Sequence, residues 1–342
     1  MLIVRHAEFR DLDDIFILAE KSGVGLTSLP ANREILFSRI ERTRKTLLGE
    51  CPRSEQGYLF VLEDIEDKRV VGVSAIEVAV GLSEPFYNYH VGKQVHACKN
   101  LNVYKILNTL FLSNDLTGSS ELCTLFLDEA YRKNLNGKLL SKIRFLFIAA
   151  FHEFFQPKII AEMRGYSDES GRSPFWDAIG YQFFNMDFAT ADYLSGVGQK
   201  AFIAELMPRF PIYVDLLSAD VQGVIGAVHP HSKPASHVLE SEGLRYQGYV
   251  DIFDAGPTLE AEICYLRAVK ESQLLPIKLT NSTQQDGAPY LVANDTYQEY
   301  RAILIHSSLD AEYIELSHQQ ASLLNVEEGQ KIRILPLNTT EQ

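Results

Sequence analysis

Residues 121–150, ELCTLFLDEAYRKNLNGKLLSKIRFLFIAA, change character midway. An apolar, strand-like run ends at Asp128, a polar run with Arg132, Lys133, Asn136 and Gly137 follows, and apolar residues then return at helical spacing. Leu139, Leu140, Ile143, Phe147, Ala150 and Phe151 fall on one stripe of a helix over 137–154. Lys138 and Lys142, four apart, line up on what reads as its exposed side. A further strand, KIIAEM, follows at 158–163. Strand, polar turn, helix and strand in that order call for an α/β sheet with helices packed on it.

The flanking segments extend the same pattern. Leu2–Phe9 reads as a strand, Asp11 opens a helix over DLDDIFILAEKS, and Asn32 caps a second helix bearing Leu36, Ile40, Thr43 and Leu47 on one face. Tyr58–Leu62 and Val70–Val80 form an antiparallel hairpin, and FYNYHVGKQVHACKN is irregular before strands at Leu107–Leu112 and Leu122–Leu127. Two later stretches look alike: PFWDAIGYQFF and ASHVLESEGLRYQGYVDIF both read as helix, glycine (Gly180, Gly243), aromatic strand. They suggest a diverged repeat. TNSTQQDGAP is a polar loop, after which YRAILIHS, AEYIELS and KIRILPL read as strands of a small β module.

The balance of 45 acidic against 32 basic side chains, net −13, disfavours nucleic acid and anionic membrane as partners and suits a small cationic substrate. Cys51, Cys98, Cys123 and Cys264 are scattered, without a CxxC pair or His/Cys cluster, so neither a disulfide framework nor a metal site is expected. The longest clearly apolar run, FLFIAAF at 145–151, is too short to span a bilayer, and a cytoplasmic location is the expectation.

The polar run at 132–138 has two readings. It is a solvated surface turn, or it is an anion cradle. The first turn of a helix presents unpaired N–H groups and the positive end of its dipole, Gly137 permits close backbone approach, and Arg132, Lys133 and Lys138 add charge. It is neither a Walker loop nor a dinucleotide fingerprint.

The order of elements through residue 188, with Arg132-Lys133-Asn134-Leu135-Asn136-Gly137 opening the long helix, resembles the GCN5-related acyltransferase fold. Leu135 stands where that pattern has its first glycine. Over the whole chain the blocks GLTSLPAN, SNDLTGSSELCTLFLD, AEMRG, SPFW, GQKAFIAELMP, VIGAVHP and DIFDAGPTLE resemble the arginine N-succinyltransferase family. The resemblance implies tandem acyltransferase-like mixed sheets flanked by helices. These would be an acyl-CoA-binding domain at 1–195, a diverged second half at 196–275 carrying VHP, and a β module at 276–342.

It further implies transfer of a succinyl group from succinyl-CoA, a co-substrate rather than a tightly bound cofactor, to the α-amine of L-arginine, the first step of an ammonia-releasing route of arginine breakdown. Transfer to ornithine is one alternative, and a non-catalytic acyl-CoA-binding partner subunit is another. A homo-oligomer or a pairing with a related chain is expected.

The resemblance places the coenzyme A diphosphate at Arg132, Asn136, Gly137 and Lys138, and the donor's arm along the strand ending at Leu127, with a contact at Leu125. It makes His229 of VHP the proton donor; residue chemistry alone does not choose among nine histidines, and His231 is the nearby rival. Pro230 biases His229 to an extended backbone. Glu121 and Glu162 are candidate acceptors for the guanidinium, with ordinary ion-pair roles the plain alternative. Arg164 is a candidate for the succinyl carboxylate, or a partner of Glu162 on one strand face.

Overall fold

The computed structural model describes residues 1–23, 26–198, 201–281, 287–308 and 312–338. Strands β1 (Leu2–His6), β2 (Gly57–Asp64) and β3 (Arg69–Glu77) pair as an antiparallel meander. A long hairpin, β4 (Asn88–Cys98) and β5 (Val103–Ser113), precedes β6 (Ser120–Leu127) and β7 (Lys158–Glu162). Then come β8 (Ile212–Tyr213), β9 (Arg245–Val250) and β10 (Pro257–Glu262). The last five are β11 (Gln273–Thr280), β12 (Ala288–Ala293), β13 (Arg301–Ser307), β14 (Ile314–Ser317) and β15 (Lys331–Pro336).

Among the described residues these strands make one mixed sheet in the order β14-β11-β15-β12-β13-β1-β2-β3-β6-β7-β10-β9-β4-β5-β8. Segment 196–275 adds β10 beside β7, β9 between β10 and β4, and β8 beside β5. The C-terminal strands join at the other end through a short β1–β13 ladder, Val4 opposite Ala302 and Arg5 opposite Arg301.

Helices cover both faces of the central strands. Asn32 caps Arg33–Leu48 as its sequence requires, its Oδ1 accepting from the Glu34 and Ile35 amides. Leu139, Leu140, Ile143 and Phe147 of the helix Asn136–Ala150 are buried in the main core, each contributing about 1.5–3 kcal/mol by leaving water. Lys142 is not on an exposed side: it is 2 % exposed.

Three expectations change. FYNYHVGKQVHACKN is largely strand, the outer hairpin β4. The expected strand after Gly180 is helical, Trp176–Gly180 running into Tyr181–Phe184. Gly180 has an ordinary helical φ of −57°, and a Cβ there would meet Trp176 Cε3 at 2.2 Å; it serves the packing of the indole on Phe184, at 5.3 Å, not a left-handed cap. Gly243 does precede a strand, at φ 114°, so the resemblance between the two stretches is not a structural repeat. Part of TNSTQQDGAP, residues 282–286, lies outside the described residues.

Candidate active site

β6 and β7 run parallel but pair only at Ser120–Ile159 and Glu121–Ile160, after which they part. β6 is bulged at the same place. Phe126 faces Val73 and Cys123 faces Ala75, leaving Thr124 and Leu125 against the single residue Ser74, with Thr124 at φ 55°. The Thr124 amide donates to Ser28 Oγ at 3.1 Å, and Arg39 Nη2 donates to Thr124 Oγ1 at 3.0 Å, which holds the bulge from outside the sheet.

A cavity of about 190 Å3 fills the wedge, walled by Glu121–Leu125 of β6, Ala161–Arg164 at the end of β7, and Arg144 from the helix behind. An adjoining cavity of about 400 Å3 shares Glu121, Cys123, Glu162 and Asp251 with it. Glu121, Glu162 and Arg164 thus line one cavity. Glu162 also accepts from Asn88 Nδ2 at 2.7 Å. Arg164 gives one Nη2 hydrogen to Ser167 Oγ at 3.0 Å, while its buried Nε has no partner. Leu125 is on the cavity wall, whereas Leu127 is in the core and offers its carbonyl to Arg132 Nε at 3.1 Å.

At the other end of β6 the chain enters the helix through two left-handed residues, Asn134 at φ 51° and Leu135 at φ 65°. Leu135 takes up the conformation that the resembled pattern assigns to glycine. Among the described residues no protein acceptor takes the amides of Asn134, Leu135, Gly137 or Lys138. Asn136 is buried and braces the turn, Nδ2 donating to the Tyr131 carbonyl at 3.0 Å. Gly137 is open, a Cβ there meeting only Leu127 at 3.9 Å. Arg132 is exposed over the Phe126 ring, and Lys138 reaches Asn338 Oδ1 at 2.9 Å.

His229 is buried, and its amide donates to the Arg164 carbonyl at 2.8 Å. Its Nδ1 accepts from the His231 amide at 3.2 Å, which places the proton of the neutral ring on Nε2. Burial, then the charge of Arg164, holds its pKa below the usual histidine value. The imidazole is not itself on the wall of either cavity; its neighbours Arg164 and Ser232 are. His231 is exposed.

Several cavity residues carry no signal in sequence. Burial, then Asp251, pushes the Asp254 carboxyl well above the carboxylate range, and Asp254 Oδ2 accepts the Gly165 amide at 2.7 Å, fixing the turn after Arg164. Asp251 and Asp192 stand on the same wall. Arg144 had one visible sign, a charge inside the apolar run KIRFLFIAA. Arg42 meets Glu77 at 2.6 Å, so that acid on the adjoining wall is neutralised.

Comparison with known proteins gives matches along nearly the whole chain. Residues 2–268 match the family described as arginine N-succinyltransferase beta subunit, and residues 273–336 match its C-terminal domain. Arginine N-succinyltransferase of Yersinia enterocolitica is 59% identical over 342 residues, covering 100% of this chain and 99% of the relative. That of Escherichia coli O6:K15:H31 is 54% identical with the same coverage. The solved structure of arginine/ornithine succinyltransferase subunit AI from Pseudomonas aeruginosa superposes with a TM-score of 0.91 at 35% identity, covering 99% of each chain. With matches of this extent over nearly its whole length, the chain belongs to the arginine N-succinyltransferase family.

Proposed function

We propose that the protein transfers the succinyl group of succinyl-CoA to the α-amine of L-arginine, as the first step of arginine breakdown in the cytoplasm. The observation that carries this reading is the parting of β6 and β7 at the bulge, since it opens a slot for a thioester arm between a basic helix start and an acid-lined cavity. The diphosphate would rest on the amides of Asn134, Leu135, Gly137 and Lys138, with the Arg132 and Lys138 side chains beside it. The arm would follow β6 past Leu125, whose bulged backbone would face the thioester. Coenzyme A is here a product of the reaction, not a resident cofactor.

The cavity has counterparts for two of the acceptor's charged groups, its guanidinium and its carboxylate. Glu121 and Glu162 suit the guanidinium, and Arg164 suits a carboxylate. The amine nitrogen attacks the thioester carbon, a C–N bond forms, the C–S bond breaks, and the sulfur leaves as thiolate. The ammonium form of arginine gives up two protons overall, one to the thiolate and one to solvent. His229, held neutral by its lowered pKa, is the relay we assign: it receives a proton from the amine and returns it to sulfur.

Ornithine is the second reading, because the P. aeruginosa protein is described as an arginine/ornithine succinyltransferase subunit. That description also supports assembly with a related chain, beside a homo-oligomer. Thiol release from succinyl-CoA by the purified chain alone, with arginine and then ornithine, tests the proposal. Release with arginine supports it. Release with ornithine alone changes the acceptor, and none with either favours a non-catalytic partner.

A further inference from the structure

Three arginines of the described structure are less than a tenth exposed, and two of them have carboxylate partners. Arg5 meets Asp11 at 2.7 Å and Glu63 at 2.7 Å, and Arg267 meets Glu242 at 2.7 Å. Arg144, the most buried at 1 %, has none: no carboxylate among the described residues lies within ion-pair reach of it. Its bonds go to neutral groups only. Nη1 donates to the Cys123 carbonyl at 3.2 Å, Nε to the Ser141 carbonyl at 3.1 Å, and Nη2 to Ser141 Oγ at 3.1 Å. The nearby Cys123 thiol, pushed up to about 12 by burial, is uncharged at neutral pH.

A buried cation without an anion is costly, and breaking a buried ion pair typically costs about 3–5 kcal/mol for that reason. Burial accordingly pulls the Arg144 pKa down to about 10. Three of the five N–H donors of a guanidinium are in use, and the side chain lines the cavity beside Cys123, Thr124 and Leu125. Its hydrogen bond to the Cys123 carbonyl ties it to the residue just before the bulge.

Resting on the succinyl-transfer reading, we propose that Arg144 is the receptor for the distal carboxylate of the acyl donor, which makes the wedge selective for dicarboxylic acyl groups. The ternary complex brings two carboxylates into the cavity, the donor's distal one and the acceptor's α-carboxylate, and two cavity arginines, Arg144 and Arg164, have no ion pair among the described residues. Arg144 lies beside β6, where the thioester would run, and takes the donor's. Arg164, at the end of β7 and bonded through its carbonyl to His229, is left to the acceptor's. A donor lacking that carboxylate leaves the guanidinium buried and unpaired.

Calorimetric titration with coenzyme A, butyryl-CoA and succinyl-CoA tests this, since butyryl-CoA has a methyl where succinyl-CoA has its carboxylate. Wild-type protein should bind succinyl-CoA roughly 10- to 100-fold more tightly than butyryl-CoA, the range of one charged hydrogen-bonded contact. Arg144→Gln should abolish that preference while leaving coenzyme A affinity unchanged. Equal affinities in wild type, a preference surviving in Arg144→Gln, or an equal loss for all three ligands would overturn the assignment. Arg164→Gln serves if the Arg144 variant does not fold: a preference that survives there supports Arg144, and one that vanishes moves the role to Arg164. These binding comparisons are independent of turnover, so absence of transfer to arginine would sink the functional reading and leave this one standing or falling by itself.

Discussion

Lys142 Nζ lies 2.7 Å from Glu242 Oε1, and both side chains are almost wholly buried. Arg267 Nη2 meets the same oxygen at 2.7 Å, so one carboxylate joins the helix Asn136–Ala150 to the segment after the helix Lys233–Ser241 and to the start of Arg267–Glu271. The helix behind the proposed diphosphate site is thereby tied to the end of the helix that follows His229.

Glu242→Ala leaves two buried cations without their shared partner, which should cost about 3–5 kcal/mol. The check is the urea midpoint at unchanged m value. A loss under about 1 kcal/mol would mean that water reaches the site and that the junction is looser than its burial implies.

Leu135 sits at φ 65°, where an L side chain costs about 1–2 kcal/mol and glycine does not. Its half-buried side chain packs on the main core and returns a similar amount. Leu135→Gly should therefore shift stability by less than about 1 kcal/mol and leave coenzyme A binding equal or tighter. Loss of folding in circular dichroism would show that the side chain, not the turn, is what the position requires.

Local pattern made some elements legible and hid others. The stripe Leu139–Phe151 and the Asn32 cap are short-range signals, and both stand in the structure. The hairpin strand β4 was hidden because most of it is exposed, so its polar residues show no buried face to alternate against. YQFFNMDF looked like a strand because aromatic residues favour strands, yet Phe184 packs from a helix onto Trp176. Lys142 was misread for a different reason: helical spacing aligns it with Lys138, but its partner Glu242 is a hundred residues away in sequence. The same distance effect concealed Asp251 and Asp254, whereas the basic loop and the acids Glu121 and Glu162 were visible as local chemistry. His229 came from family resemblance alone.

His6 gives a pH signature to stability. Its ring is enclosed by Phe60 at 5.0 Å and Phe147 at 5.4 Å, Nε2 meets the Tyr297 carbonyl at 3.1 Å, and burial lowers its pKa to about 4. The unfolded chain binds this proton first, near the ordinary value of 6.5. The contribution of neutral His6 is thus complete above about pH 6.5 and is lost as pH falls toward 4, on the order of 3 kcal/mol. His6→Phe keeps the stacking and should flatten that part of the acid limb relative to wild type. Parallel pH–stability curves from 7 to 4 would show that His6 is charged in the fold.

His229 and His231 separate by turnover and by pH. General acid–base help gives about 10²- to 10⁴-fold in rate, and His229→Ala should lose an amount of that order while coenzyme A still binds, because the proposed diphosphate loop is elsewhere in the fold. His231→Ala should change turnover little; its side chain is exposed, and it is the backbone amide of 231 that meets His229 Nδ1. Since His229 must be neutral to receive the amine proton and its pKa is lowered, the acid limb of kcat/KM should fall on the acid side of pH 6.5. That limb should disappear in His229→Ala. Near wild-type turnover in His229→Ala, or an unchanged acid limb, would remove His229 from the chemistry and leave it as the clasp that its 2.8 Å bond to the Arg164 carbonyl already makes it.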